Sequence, residues 1–167
     1  IIAAVSTAPA MIKLGVPDYA AHMFIFYYAV LSEVSPPTAL SPFAAAAITG
    51  GNPYKTTMMA WKYTLPAFLV PFMFTLHPDG IGLLLKGPWM NIVWTTLTAM
   101  VGLVALAAGL TGWLIRKTTR FEQALLIIAG LVLVYPGWIQ DLIGFGLFAF
   151  ALLLQTLLYR SRAPLGP

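Results

Sequence analysis

The chain has 167 residues, of which 60% are hydrophobic and 8% are charged, whereas about a quarter of the residues in a soluble domain are charged. This composition excludes a soluble globular protein and predicts an all-α integral membrane protein with several transmembrane helices. The absence of cysteine excludes a disulfide framework and a thiolate metal site, and the net charge of +4 does not indicate nucleic-acid binding, because the basic residues flank apolar segments and form no dense patch.

The chain starts inside an apolar segment, residues 1–12, which is too short to cross a bilayer alone because a spanning helix needs about 20 residues. Neither an initiator methionine nor a signal peptide precedes this segment, so we expect the C-terminal part of a longer protein. We interpret residues 1–12 as one arm of a re-entrant hairpin or as the end of a truncated span. Residues 13–18 predict an aqueous turn in which Asp18 caps a helix that starts near Tyr19.

Two consecutive prolines, Pro36 and Pro37, interrupt the next apolar segment between residues 19–34 and residues 39–50. Proline removes a backbone donor and clashes with the preceding turn, so a helix that passes through this pair must open and leave carbonyl groups unpaired. Open backbone at membrane depth is tolerated only where it is buried in protein or lines a watery cavity. We predict one broken crossing of about 30 residues, longer than a usual span. A hairpin that returns to the same face is the alternative.

Polar side chains around the proline pair form the best candidate site, because broken helices in transporters bind the substrate or the coupling ion. Hydroxyl oxygens such as those of Ser35 and Thr38 suit a hard cation such as sodium, although hydroxyls in membrane helices also bond back to the backbone. Glu33 either coordinates an ion, exchanges a proton or contacts substrate, or it is a helix-end carboxylate that faces headgroups. The candidate substrate and ion site comprises Ser32, Glu33, Ser35, Pro36, Pro37 and Thr38.

The remaining chain predicts four further apolar segments. Residues 55–75 form a span that Pro66 and Pro71 kink, and residues 89–115 form a full span in which Gly102 and Gly109 allow close helix contact. Two short spans follow, residues 124–139 and 142–159, joined by a tight turn at residues 136–141.

The basic residues predict the orientation, because lysine and arginine in short loops stay on the cytoplasmic side. Lys13 and Lys86 share one side of the membrane if the crossings alternate. The other side is predicted to be cytoplasmic because it carries Lys55, Lys62, Arg116, Lys117, Arg120, Arg160 and Arg162.

The sequence lacks the residue patterns that enzymatic catalysis requires. His22 and His77 are too few and too far apart for a metal cluster, and no nucleophile elbow, phosphate-binding loop or paired carboxylates occur. An intramembrane enzyme that uses Glu33 would need a second catalytic group. We expect no catalytic residue, no cofactor and no metal apart from a transported sodium ion at Ser35 and Thr38.

Several stretches resemble the large membrane subunit of TRAP transporters, in particular the fused TAXI-type permeases that carry small and large subunits in one chain. They are AAHMFIFYY and LSEVSPPTAL in residues 20–40, FAAAAI in residues 43–48 and PAFLVPF in residues 66–72. The resemblance covers about residues 1–78. It implies that residues 1–80 are the C-terminal part of a permease transport domain and residues 81–167 a C-terminal membrane extension of about three spans.

The resemblance implies a symporter in a bacterial-type cytoplasmic (inner) membrane. It would use a sodium gradient to take up an organic acid anion, such as a dicarboxylate, that an extracytoplasmic solute-binding protein delivers. The transport domain would move like an elevator against a scaffold, with residues 32–38 in the ion and substrate site and residues 1–12 in an outer re-entrant hairpin.

Two alternatives remain open. The family's prolines often follow threonine, whereas Ser35 precedes them here, and the nearby Glu33 makes proton coupling the alternative to sodium. The competing class of protein is a non-transporting membrane subunit that anchors or assembles a larger complex. In either class the expected surroundings are membrane lipid and not nucleic acid.

Overall fold

The structure, a computed structural model, describes the backbone of residues 2–160 and the side chains of residues 6–157. Regular secondary structure in this part of the chain is helical, in agreement with the predicted all-α fold. The helices are α1 (Ile2–Lys13), α2 (Asp18–Leu31), α3 (Leu40–Thr49), α4 (Pro53–Thr64), α5 (Val70–Thr75), α6 (Trp89–Thr111), α7 (Arg120–Val134) and α8 (Trp138–Arg160), with 3₁₀-helices at Leu65–Leu69 and Pro78–Leu84. Predictions for Ile1, Arg162 and the side chain of Arg160 lie outside the described residues.

The chain divides into two compact units, residues 1–96 and residues 97–167, and α6 passes from the first into the second. Among the described residues, α6 and the Trp138–Leu157 part of α8 are long and apolar enough to cross a membrane. These helices support the prediction of a membrane protein. The re-entrant character of α1 stays a prediction.

Helix α2 stops before the proline pair, as the sequence predicts. It ends at Leu31, and α3 begins at Leu40, so residues 32–39 connect two separate helices. Within this unit α1 packs on α2, α2 packs on α5, and α3 packs on α4. The break is confirmed, whereas the choice between one crossing and a hairpin stays a prediction.

The start of α2 differs from the prediction in its cap. The helix begins at Asp18, next to the predicted start at Tyr19, but Pro17 occupies the N-cap position and no side chain accepts a cap hydrogen bond. Capping requires a residue immediately before the helix, and Asp18 is already its first residue. The predicted capping role of Asp18 is therefore wrong. Its carboxylate instead lies 3.4 Å from Nε2 of His22, one turn later.

The predicted span over residues 55–75 forms as three consecutive helical segments. Helix α4 ends at Thr64, the 3₁₀-helix covers Leu65–Leu69, and α5 follows. Pro66 and Pro71 explain this change, because each lacks the N–H that an α-helix would use and its ring clashes with the carbonyl one turn earlier. The predicted kink is confirmed as a 3₁₀ segment.

Aromatic contacts attach α2 to this 3₁₀ segment and to α5. The ring centroids of Phe24 and Phe72 are 5.4 Å apart in an edge-to-face arrangement, and those of Tyr28 and Phe68 are 6.0 Å apart. The hydroxyl of Tyr28 also donates a hydrogen bond of 2.6 Å to the carbonyl oxygen of Phe68. The end of α2 that precedes the break is thereby joined to the kink between α4 and α5.

The second unit contains the later part of α6 with α7 and α8. Helix α6 ends at Thr111, earlier than the predicted end at Ile115, because Gly112 adopts a left-handed φ of 79° that stops the helix. Close packing through small residues is confirmed. A Cβ atom added to Gly102 would lie 2.9 Å from Cβ of Leu133, and one added to Gly109 would meet Ile127, also on α7.

Helices α7 and α8 pack against each other as the predicted hairpin. The turn between them is shorter than the predicted residues 136–141, because α8 already begins at Trp138. The amide of Asp141 donates to the carbonyl of Gly137 at 2.8 Å and so continues the helical bonding pattern. The predicted bounds of the two short spans are corrected accordingly.

An ion pair with a buried carboxylate stabilises the connection between α6 and α7. Nη2 of Arg116 lies 2.5 Å from Oε1 of Glu122, whose side chain is only 2% exposed. The other carboxylate oxygen of Glu122 accepts the amide of Thr119 at 2.7 Å, and Thr119 Oγ1 accepts the amide of Glu122, which forms a capping box at the start of α7. Gln155 of α8 accepts the amide of Ile115 through its side-chain oxygen at 3.2 Å.

Candidate functional site

The candidate site is the connection between α2 and α3, residues 32–39, in the first unit. After α2, the amides of Glu33, Val34 and Ser35 each donate to the carbonyl three residues earlier, at 3.2, 3.2 and 3.4 Å. Such bonds tighten the last turn of a helix and use part of its free carbonyls. The peptide bond that follows, between Pro36 and Pro37, is cis.

A buried residue in a left-handed conformation ends this connection. Ala39 has φ 32° and ψ 42°, and none of its surface is exposed. Its amide donates to the carbonyl of Ser35 at 2.9 Å, and the amide of Ser41 reaches back to the carbonyl of Glu33 at 3.2 Å. A non-glycine residue in this region carries strain of about 1 kcal/mol or more, which persists only where the surrounding structure imposes it.

Two of the three predicted hydroxyl ligands bond back to the backbone. Oγ of Ser32 donates to the carbonyl of Ala29 at 2.6 Å, and Oγ1 of Thr38 donates to the carbonyls of Ser32 and Ser35 at 2.6 and 3.2 Å. A hydroxyl that donates its proton keeps lone pairs for a cation, so this arrangement is compatible with both alternatives drawn from the sequence. Within the described residues, Oγ of Ser35 makes no hydrogen bond.

The carbonyl groups of the loop are open only in part. Those of Ser32, Glu33 and Ser35 accept bonds from the loop itself or from Ser41. Four others accept no hydrogen bond from the part of the chain that is described, and these are the carbonyls of Val34, Pro36, Pro37 and Thr38. Unpaired carbonyls of this kind are the oxygen ligands with which unwound membrane helices coordinate sodium.

Glu33 is the acidic group of the loop. Its side chain is exposed, and it forms no ion pair with a basic residue between residues 6 and 157. The carboxylate is therefore open to an ion, a proton or a headgroup. Its role as a site residue stays a prediction.

All six predicted site residues lie in this single loop, and no side chain of another helix forms a hydrogen bond with them within the described structure. No group of three or more histidine, aspartate and glutamate side chains that could hold a metal ion occurs there either. Because a hard cation is usually surrounded by six or more oxygens, the loop supplies only part of a coordination shell.

The sequence patterns did not predict the buried pair of Arg116 and Glu122. The sequence predicts only that Arg116 lies on the cytoplasmic side, and it predicts no partner for Glu122. The spacing of Thr119 and Glu122 is the sequence signature of a capping box, and it was the signal available.

Comparison with known proteins gives two family matches. Residues 1–79, which contain the whole loop between α2 and α3, match the family model described as the DctM component of the tripartite ATP-independent periplasmic transporter. Residues 92–146 match a domain of unknown function, DUF3394. No curated protein and no solved structure matches the chain.

Proposed function

Because residues 1–79 belong to the DctM family of tripartite ATP-independent periplasmic transporters, as the resemblance predicted, we propose that the chain is part of a cation-coupled permease. The permease takes up an organic acid anion across the cytoplasmic membrane. The observation that carries this proposal is the proline-broken connection between α2 and α3, which lies inside the matched segment and combines open carbonyls with hydroxyl groups. Sodium is the proposed coupling ion.

The proposed site uses both sides of the break. The carbonyls of Val34, Pro36 and Pro37 and the hydroxyls of Ser35 and Thr38 replace part of the hydration shell of sodium. The N-terminus of α3 carries a positive partial charge that favours the carboxylate of the substrate. Glu33 beside the break is the group through which a proton would be coupled instead of sodium.

The proposed partner is an extracytoplasmic solute-binding protein, which the family relationship implies. In this proposal α6 and α8 anchor a multi-pass protein in the membrane, and α1 is one arm of the re-entrant hairpin. The first unit moves as part of an elevator-like transport domain. The family transports substrates and does not transform them, which supports a function other than catalysis.

A second candidate function is a non-transporting subunit that anchors or assembles a larger complex. The observation that favours it is the bonding of Ser32 and Thr38 to backbone carbonyls, because that bonding gives the hydroxyls a structural task without any ion. In this case the break shapes a packing surface. Substitutions in the loop would then change assembly and leave flux unchanged.

The test is uptake into proteoliposomes by the complete transporter that contains this chain, with and without a sodium gradient and the solute-binding protein. We expect uptake to need both, and we expect Ser35→Ala with Thr38→Ala to raise the sodium concentration for half-maximal uptake. Thr49→Ala is the matched control, because its exposed hydroxyl lies at the opposite end of α3 from the proposed site. Unchanged sodium dependence in the double variant would exclude the proposed ligands, and an absence of uptake under every condition would favour the assembly subunit.

A further inference from the structure

The connection between α6 and α7, residues 112–119, is a tight hairpin at the end of an apolar helix of 23 residues. Trp113 and Lys117 face each other in an antiparallel bridge, and the amide of Thr118 donates to the carbonyl of Gly112 at 3.0 Å. The capping box then starts α7 directly at Arg120. The hairpin is therefore a short turn whose backbone is held by hydrogen bonds.

The charges of this turn are not all available to the surroundings. Arg116 is paired with the buried Glu122, and its Nε and Nη1 atoms also donate to the carbonyls of Gln155 and Lys117, at 3.5 and 3.1 Å. Lys117 and Arg120, in contrast, are exposed, and neither forms an ion pair within the described residues. Two exposed positive charges, three positions apart, are thus not balanced by Glu122, whose carboxylate pairs with Arg116.

Large apolar side chains flank these two cations. Trp113 is 62% exposed and Phe121 is 66% exposed, and Ile115 between them is exposed as well. Tryptophan at the end of an apolar helix is typical of the membrane interface, where one part of the ring meets hydrocarbon and the other meets headgroups. In a membrane, cations beside interfacial aromatic side chains would lie near the lipid phosphates.

We propose that this surface, formed by Trp113, Lys117, Arg120 and Phe121, binds the phosphate of an anionic lipid headgroup. Lys117 and Arg120 contact the phosphate, while Trp113 and Phe121 lie beside the upper part of the acyl chains. Charge complementarity selects the occupant, because the surface offers two unbalanced cations and no free carboxylate. The ion pair of Arg116 with the buried Glu122 stabilises the turn that carries these cations. The proposal does not depend on the transport function.

The test measures binding of phosphatidylglycerol to the full chain in phosphocholine micelles, by native mass spectrometry and by the shift in Tm. We expect Lys117→Gln with Arg120→Gln to weaken lipid binding about 30-fold. Lys55→Gln with Lys62→Gln is the matched control, because it removes two exposed charges from α4 and should bind like the wild type. Lys117→Arg with Arg120→Lys keeps both charges and should retain binding.

Three results would overturn the proposal. Equal binding by the wild type and the Lys117→Gln, Arg120→Gln variant would exclude these residues. An equal loss of lipid binding in the Lys55→Gln, Lys62→Gln control would show that net charge alone, and not this surface, determines binding. A comparable rise in Tm with inorganic phosphate or with phosphatidylcholine would show that the site does not select an anionic lipid.

Discussion

Oγ1 of Thr38 donates a hydrogen bond of 2.6 Å to the carbonyl oxygen of Ser32, and this bond closes the loop across the two prolines that break it. The donor lies just after the proline pair, and the acceptor lies at the end of α2. One side chain therefore supplies the bond that the backbone cannot make at this point, since both prolines lack an N–H.

Thr38→Val should test this closing bond, because valine keeps the branched shape and removes the donor. We expect the free energy of unfolding to fall by about 1 kcal/mol, the usual net contribution of one such hydrogen bond. Unfolding in mixed micelles followed by circular dichroism measures the change. Thr38→Ser keeps the hydroxyl and should lose less, and an equal loss in both variants would show that the methyl group and not the bond matters.

Arg116→Leu should destabilise the second unit strongly. Glu122 is 2% exposed, and removal of its partner leaves a buried carboxylate without a counter-charge, at a cost of about 3 kcal/mol. The measurement is the free energy of unfolding of the single variants and of Arg116→Leu with Glu122→Leu. The loss in free energy of unfolding in the double variant should be smaller than the sum of the losses in the two single variants. A loss equal to that sum would exclude a direct interaction between the two side chains.

Gly130→Ala should disturb the contact between α6 and α7. The added methyl group would meet the side chain of Leu106 and would lie 2.8 Å from the carbonyl oxygen of Gly102, so the helices must separate. We expect a loss of about 1–3 kcal/mol, as for other overpacked sites. Gly146→Ala is the control, because the same methyl group on α8 would have no neighbour within 4 Å. Equal stability of both variants would contradict the close packing.

Leu85→Gly should stabilise the first unit. Leu85 has a left-handed φ of 58° and is 75% exposed, so glycine removes backbone strain and gives up little buried surface. We expect a gain of about 1 kcal/mol in the free energy of unfolding. Leu76→Gly provides the comparison, since Leu76 is also an exposed leucine at a helix end but has an ordinary φ of −80°. This variant should lose stability, and a gain in both would rule out relief of strain as the cause.

Local backbone chemistry explains which parts of the fold were predictable. Proline acts on its own neighbourhood, so the break at Pro36 and an irregularity at Pro66 follow from the sequence, whereas the 3₁₀ form of that irregularity does not. The same reasoning does not tell which oxygen a hydroxyl selects. Thr38 donates to Ser32 because the backbone conformation of the whole loop brings the two residues together. The spacing of residues in the sequence does not predict that conformation.

Burial and the exact position of the helix start explain two features that the sequence does not predict correctly. No partner of Glu122 could be predicted, because the sequence does not show that Arg116 folds back to pair with this carboxylate, which also belongs to the capping box of α7. Asp18 had the right residue type for a cap but stands one position too late. Further ligands of the proposed ion site would have no signal in the loop itself, because a coordination shell is assembled from segments distant in sequence.

The hydrogen bond from Tyr28 to Phe68 links the end of α2, next to the loop, to another part of the same unit. Phe68 belongs to the 3₁₀ segment between α4 and α5, and Tyr28 is the residue one turn before α2 ends. A rotation of α2 about its axis would pull directly on that stretch. The end of α2 that precedes the proline pair and the 3₁₀ segment therefore cannot move apart without breaking this bond between one phenol and one carbonyl.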